Sequence, residues 1–464
     1  MDRPNAWNTY DEVELKKLEK VNAEYREMLD KGKTERECVT EAILMAEACG
    51  YENLETVMAE DKLLKTGDKV YHTCMDRAII LYHIGEELVV NGMNILGAHI
   101  DSPRIDIKQV PLFEDKGYVY LDTHYYGGIR KYQWLSTPLA LHGVVYKKDG
   151  TKIEVAIGEK ETDPVFVITD LLPHLAQAQS RKPAGEFVNG EKLDLLIGNK
   201  PGPKSEDEKK DAESVQDAIS KLLKEMYGIE EADFQSAELQ IVPAMKAREC
   251  GLDRSMIMGY GQDDRVCAFT SLMAMLEMKD VKRTACCIFA DKEEIGSVGA
   301  TGMASNFFEN SVAELMDRTG DYSSLKLKRA LAKSFMLSSD VSAAYDPMYA
   351  ENFEAKNSAF FGKGLAFNKY TGARGKNGSS DASPEFVAKL RKIMDENGVL
   401  FQTAELGAVD IGGGGTIAYL MAKYGMHVID SGVPVLGMHS LYEVASKADI
   451  YEAYKGYKAF LVHA

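Results

Sequence analysis

Apolar positions along the chain follow two rhythms. In residues 10–31, Val13, Leu15, Leu18, Val21, Tyr25 and Leu29 recur among charges at helical spacing, which predicts an amphipathic helix. A second helix is predicted over 34–49, with Gly50 as its stop. Short apolar runs at 69–74, 78–83 and 93–99 read as strands, with Glu86 and Glu87 in the turn between the last two. After Pro103 the texture changes. Residues 105–109, 117–122 and 139–158 are strand-like, and Asp149-Gly150 marks a hairpin turn inside the last. Another strand is expected at 164–169, a helix from 171, a polar Pro/Gly- and charge-rich surface loop at 199–213, a helix at 214–227 and a strand at 237–243. From 248 onward helices at 264–278, 382–397, 416–424 and 447–463 alternate with strands at 284–290, 334–340, 399–403 and 427–430. This pattern predicts an α/β fold, a sheet with helices on both faces, formed by 1–104 plus 247–464 and interrupted by a strand-rich domain at 105–246.

Composition narrows the class. At 464 residues, with 45% hydrophobic and 27% charged positions, the chain has the make-up of a globular enzyme of about two domains. The formal charge of −17 argues against nucleic acid or an anionic membrane as partner. The seven cysteines are odd in number and show no CxxC pairing, as expected of a reducing compartment. A charged N-terminal stretch without an apolar core predicts no signal peptide, and no apolar run has the ~20 residues needed to cross a bilayer. A cytoplasmic enzyme is the expectation.

Candidate chemistry concentrates where predicted strands end. The run 285–290 closes in Asp291, Lys292, Glu293 and Glu294, followed by the small residues Gly296, Ser297, Gly299 and Gly302. Two adjacent carboxylates at a buried strand end need a cation or a shared proton. One glutamate could ligate a metal while its neighbour acts as base; a solvated pair in a loop is the plainer alternative. His99 and Asp101, in GAHIDSP, fit a metal-bound imidazole beside an orienting carboxylate, or a packed histidine. Asp263-Asp264 precedes a helix as ligand or N-cap. Asp340 and His439 each follow an apolar run. Together these positions supply two histidines and enough carboxylates for two divalent ions, whose charge three ligand carboxylates and a bridging hydroxide would balance. Mixed nitrogen and oxygen ligation suits Zn²⁺, with Mn²⁺ or Co²⁺ as substitutes.

Five segments in this order, GAHIDSPR, the DDR of GQDDRVCAF, DKEEIGS, SSDVSAAYDP and GMHSLYE, resemble the aspartyl aminopeptidase family of dinuclear zinc exopeptidases, in its bacterial M18-type form. The likeness runs from about residue 95 to the C-terminus. It implies a zinc exopeptidase-like fold in which His99 and Asp340 hold one zinc, Glu294 and His439 the other, and Asp263, whose peptide bond to Asp264 is expected to be cis, bridges them. It also implies Glu293 as general base, Asp101 as the orienting partner of His99, and the inserted domain as a dimerisation or lid domain of a dodecamer. The chain departs from the family pattern in two places. Pro173-His174-Leu175 is present, but the position four residues beyond His174, which carries an active-site histidine in members with acidic specificity, is Ala178. His174 is therefore a substrate or interface candidate, or a structural histidine. Lys369 is offset by one from the lysine that meets acidic side chains. Gly413 and Gly414, within the GGGGT run, fit close backbone approach beside a substrate better than a nucleotide loop.

The expected activity is release of N-terminal amino acids, acidic ones among them, from peptides. One rival is of another class, an oligomeric scaffold or cargo-binding particle with vestigial catalysis; a third reading is a related dinuclear zinc hydrolase acting on another amide, such as an N-acyl amino acid.

Overall fold

The computed structural model describes residues 4–203 and 213–464. It divides into two compact units, one of residues 1–102, 247–438 and 442–464, the other of 103–246 with 439–441. Most of the 199–213 loop expected from the sequence, residues 204–212, lies outside the described residues.

In the larger unit, nine strands among the described residues form one mixed sheet in the order Glu52–Asn53, Lys69–Cys74, Ala78–His83, Thr284–Ala290, Met93–His99, Phe335–Ser338, His427–Gly432, Leu365–Asn368 and Phe401–Thr403. The four central strands, Thr284–Ala290 through His427–Gly432, run parallel, so their carboxyl ends share one edge. Strands buried on both faces read as unbroken apolar runs, and Ala78–His83, Met93–His99 and Thr284–Ala290 are buried throughout. Alternation then sorts side chains between two cores. Leu96, Leu337 and Ile429 join the core with helices Glu12–Lys31, Glu35–Ala48, Gln262–Leu276, Pro384–Glu396 and Lys447–His463. Ile95, Met336 and Val428 join the other, with Leu54–Ala59, Phe307–Arg318, Ser324–Ala332 and Ala418–Ala422. A five-stranded sheet in the same unit pairs Met256–Gly259 with Glu443–Ser446, and Glu443–Ser446 with Pro434–Leu436.

Local signals explain the helix starts. Asp11 accepts the N–H of Val13 and Glu14 ahead of Glu12–Lys31, and Thr34 and Glu37 close a capping box on Glu35–Ala48. Gln262–Leu276 is buried from Gln262 to Met275, and from Val266 onward its sequence is apolar but for Thr270 and Ser271.

The smaller unit carries a six-stranded antiparallel sheet, ordered Lys152–Ile157, Leu139–Tyr146, Ala237–Pro243, Arg104–Asp115, Tyr118–Tyr126 and Leu195–Gly198. Here two expectations fail. The strand at 164–169 is reduced to isolated bridges at Phe166, Val167 and Ile168. Residues 171–180 form turns rather than a helix, ending in the 3-10 turn Gln179–Arg181. Leu171, Leu172 and Leu175 stay exposed there, so no buried face is available to stabilise a short helix. No helix among the described residues is long and apolar enough to cross a membrane.

Candidate metal centre

Four of the predicted ligands sit at or shortly beyond a strand end, and the fifth, Asp263, opens a helix. His99 is the last residue of Met93–His99, and its pairing with Ala290 aligns it with the end of Thr284–Ala290. Beyond Ala290 the chain turns through Lys292, in left-handed conformation at φ 67°, into the 3-10 turn Glu293–Ile295. The loop closes on itself: Asp291 bridges Gly302, and a Cβ at Gly302 would stand 2.2 Å from the Ser297 oxygen, so a glycine is required. Asp340 follows Phe335–Ser338 by two residues, and His439, itself at φ 63°, lies in the connection from Pro434–Leu436 to Glu443–Ser446. Asp263 opens Gln262–Leu276 with non-helical angles, and its bond to Asp264 is cis.

Two groups of side chains come together. His99, Asp263 and Asp340 offer ligand atoms within 4.8 Å of one another, as do Asp263, Glu294 and His439. Asp263 belongs to both. The two groups thus offer nitrogen and carboxylate oxygen, a donor set that fits zinc. Glu293 and Asp101 belong to neither group.

Asp101 organises its neighbours. Its two carboxylate oxygens accept the N–H of Glu293 and of Glu294, each at 3.1 Å. The Nδ1 of His99 lies 2.9 Å from the Asp101 carbonyl and 3.3 Å from its Oδ1, which places the ring proton on Nδ1. Nε2 then faces Asp263, whose Oδ1 is 3.2 Å away. The main-chain oxygen of Asp263 accepts the Ser102 hydroxyl at 2.8 Å, and Asp264 Oδ2 accepts the His99 N–H at 3.3 Å.

Electrostatics mark the same place. Burial, reinforced by the charges of Asp264, Glu293 and Asp263, pushes the Asp340 carboxyl well above the ordinary range. Burial does the same to Asp264, with repulsion from Asp263. For His99 burial pulls the pKa down, but hydrogen bonds to Asp101 and Asp263 outweigh it and hold the imidazole well above its usual value. Carboxylates crowded in a buried space are what an added cation would relieve.

The remaining sequence candidates join neither group. His174 is exposed in the smaller unit, and Lys369 is exposed directly after Leu365–Asn368. The glycine run approaches backbone of its own chain: a Cβ at Gly412 would stand 1.9 Å from the Leu406 oxygen, and one at Gly413 2.0 Å from that of Gly372. Gly414 accepts the Gly372 N–H at 2.8 Å.

Comparison with known proteins points the same way. A family model described as aminopeptidase I zinc metalloprotease (M18) matches residues 28–461. The chain is 56% identical over 457 residues to a protein of Clostridium acetobutylicum named probable M18 family aminopeptidase 1, covering 98% of this chain and 97% of that one. It is similar to the crystal structure of aminopeptidase I from the same organism, with TM-score 0.92, 54% identity and 99% of each chain covered. It is also similar to the crystal structure of an M18 family aminopeptidase from Thermotoga maritima, with TM-score 0.94, 42% identity and 100% of each chain covered.

Proposed function

The chain belongs to the aminopeptidase I zinc metalloproteases of family M18 and is a metallo-aminopeptidase, a hydrolase acting on peptides, and from that premise we propose how its residues divide the work. The observation that carries the reading is the sharing of Asp263 by two ligand groups. His99 and Asp340 would hold one divalent ion and Glu294 and His439 a second, with Asp263 available to both. Zinc fits both groups, with Mn²⁺ or Co²⁺ as substitutes. Two such ions supply Lewis acidity toward a water and the scissile carbonyl, the chemistry by which even one Zn²⁺ lowers a water's pKa to about 7.

The chain's own groups do the rest. Glu293 lies next to a ligand without joining either group, and its charge is felt at His99 and Asp340. It takes the attacking water's proton and returns it to the leaving amine. Asp101 keeps Nδ1 of His99 protonated, so that Nε2 ligates, and fixes the Glu293 and Glu294 backbone through both its oxygens. Residues 105–246 serve as a dimerisation or lid domain. The exposed Leu171, Leu172 and Leu175 beside His174 support a contact with a second copy, in dimers that build a dodecamer. The seven free cysteines are consistent with a cytoplasmic location.

The test is a panel of N-terminal aminoacyl substrates assayed with zinc, manganese and cobalt, with N-acetylated counterparts. Hydrolysis confined to free amino termini is expected. Equal hydrolysis of the N-acetylated substrates would move the reading to an amidohydrolase, and none with any metal would move it to a scaffold. Size-exclusion chromatography with light scattering reads the assembly, for which a mass near twelve copies is expected and a monomer would refute it.

A further inference from the structure

Glu443 belongs to neither ligand group, yet it grips the segment that presents their shared residue. It is 1% exposed and opens the strand Glu443–Ser446, where it pairs with Gly259 at the end of Met256–Gly259. Its side-chain Oε2 accepts the N–H of Asp263 at 2.9 Å. Its main-chain oxygen accepts Nε2 of Gln262 at 2.6 Å. Gln262 is itself fully buried, donates to the Ile257 oxygen at 3.2 Å and accepts the Tyr25 hydroxyl at 3.2 Å. Glu443 therefore holds two consecutive residues, Gln262 and Asp263, from both its backbone and its side chain.

This matters because the helix cannot hold Asp263 there. The first N–H groups of a helix have no intrahelical acceptor, and Asp263 and Asp264 depart from helical angles at φ −80°, ψ 107° and φ −114°, ψ 25°. An Asp263 N–H buried without a partner would be costly, and a small rotation about its backbone would carry the carboxylate out of reach of one ligand group or the other. Metal–ligand distances at a formed site fall within about 0.2 Å of their usual values, so where Asp263 stands matters.

We propose that Glu443 is a positioning residue for the metal centre, its carboxylate oxygen setting the backbone of Asp263 so that one side chain serves both ligand groups. The inference rests on the reading of Asp263 as the bridging ligand. What matters in Glu443 is an acceptor at that point, so its amide counterpart should substitute.

Zinc content and zinc affinity, the latter by competition with a fluorescent chelator, are measured on the full chain for wild type, Glu443→Gln and Glu443→Ala. Circular dichroism checks the fold, and Glu443→Leu, which fills much of the same space but has no acceptor, replaces Glu443→Ala if that variant does not fold. We expect a loss of ~10–100-fold in zinc affinity for the variant without an acceptor, with near wild-type affinity in Glu443→Gln. Unchanged affinity without the acceptor would overturn the proposal. So would a Glu443→Gln loss as large as that of Glu443→Ala, which would make the charge and not the acceptor decisive. A wild-type chain that takes up no zinc would instead overturn the ligand assignment and the role of Glu443 with it.

Discussion

Two buried groups of charged residues stand on the large sheet, and they are balanced in opposite ways. In one, Arg77 meets Asp291 through Nε at 2.9 Å and Glu35 through Nη2 at 3.2 Å, with Lys292 at 3.6 Å from Asp291. Burial and the charge of Glu35 push Asp291 up, and Arg77 pulls it back. That group carries its own cations and closes the base of the 291–302 loop, where the Thr301 hydroxyl also donates to Asp291. In the other, Asp263, Asp264 and Asp340 gather around His99, and burial and mutual repulsion drive Asp264 and Asp340 up. Acids raise each other in both groups, but two acids against a guanidinium and a lysine are balanced, whereas the charge pulling Asp264 and Asp340 back is that of the His99 imidazole, which suits a further cation.

The contrast predicts that removing metal should have the largest effect, and only on the second group. Dialysis against a strong chelator should abolish hydrolysis and lower the melting temperature, and zinc should restore both, since a ligand at 1,000 times its Kd adds about 4 kcal/mol to stability. Activity surviving in chelated, metal-free protein, as verified by elemental analysis, would break the comparison. Next in size comes Glu293→Gln. Turnover should fall by roughly 10²–10⁴-fold with zinc content unchanged, because the substitution removes a proton acceptor and leaves both ligand groups intact.

Much of this was legible in the chain, and the reason is topological. Loops at the carboxyl edge of parallel strands carry the chemistry of open α/β sheets, so His99, Glu294 and Asp340 could be picked out as polar residues following apolar runs. Asp263 was legible as a residue at a helix start, but its non-helical angles come from the tertiary setting. Glu443 gave no signal of its own, because an acid opening a short strand looks like any surface residue until its partner 180 positions away is known. The strand Leu365–Asn368 gives no sequence signal for a similar reason: four residues are too few for a period to emerge. The glycine run was legible as a place of close approach, but what approaches is the chain's own backbone at Leu406 and Gly372.

The self-balanced group yields a stability effect. Arg77→Met leaves Asp291 and Glu35 buried without their guanidinium, and breaking a buried pair from one side costs about 3–5 kcal/mol. Urea denaturation of the chelated protein should show this loss, while zinc uptake by the folded variant stays at the wild-type level. A variant that loses zinc but not stability would mean that the two groups had been assigned the wrong way round.

The smallest effect sharpens the comparison with a second pair, the buried histidines of the same sheet. His99 is held up by Asp101 and Asp263, whereas burial, aided by the charge of Lys69, pulls His83 down to about 4. Its Nδ1 is buried without a hydrogen-bond partner, so the folded protein keeps the ring neutral. Unfolded, the same ring takes up a proton below its ordinary value of 6.5. Between those two values the unfolded chain binds more protons than the folded one at this site, and stability falls as pH falls. The full loss, complete below about pH 4, is on the order of 3 kcal/mol at about 1.4 kcal/mol per unit. His83→Gln cannot take up that proton. The difference in urea midpoint between wild type and His83→Gln, both chelated, should therefore shift in favour of the variant from pH 7 to pH 4.5. A difference that stays constant across this range would show that His83 is not held neutral by burial, and that a buried histidine on this sheet needs no carboxylate to keep its proton.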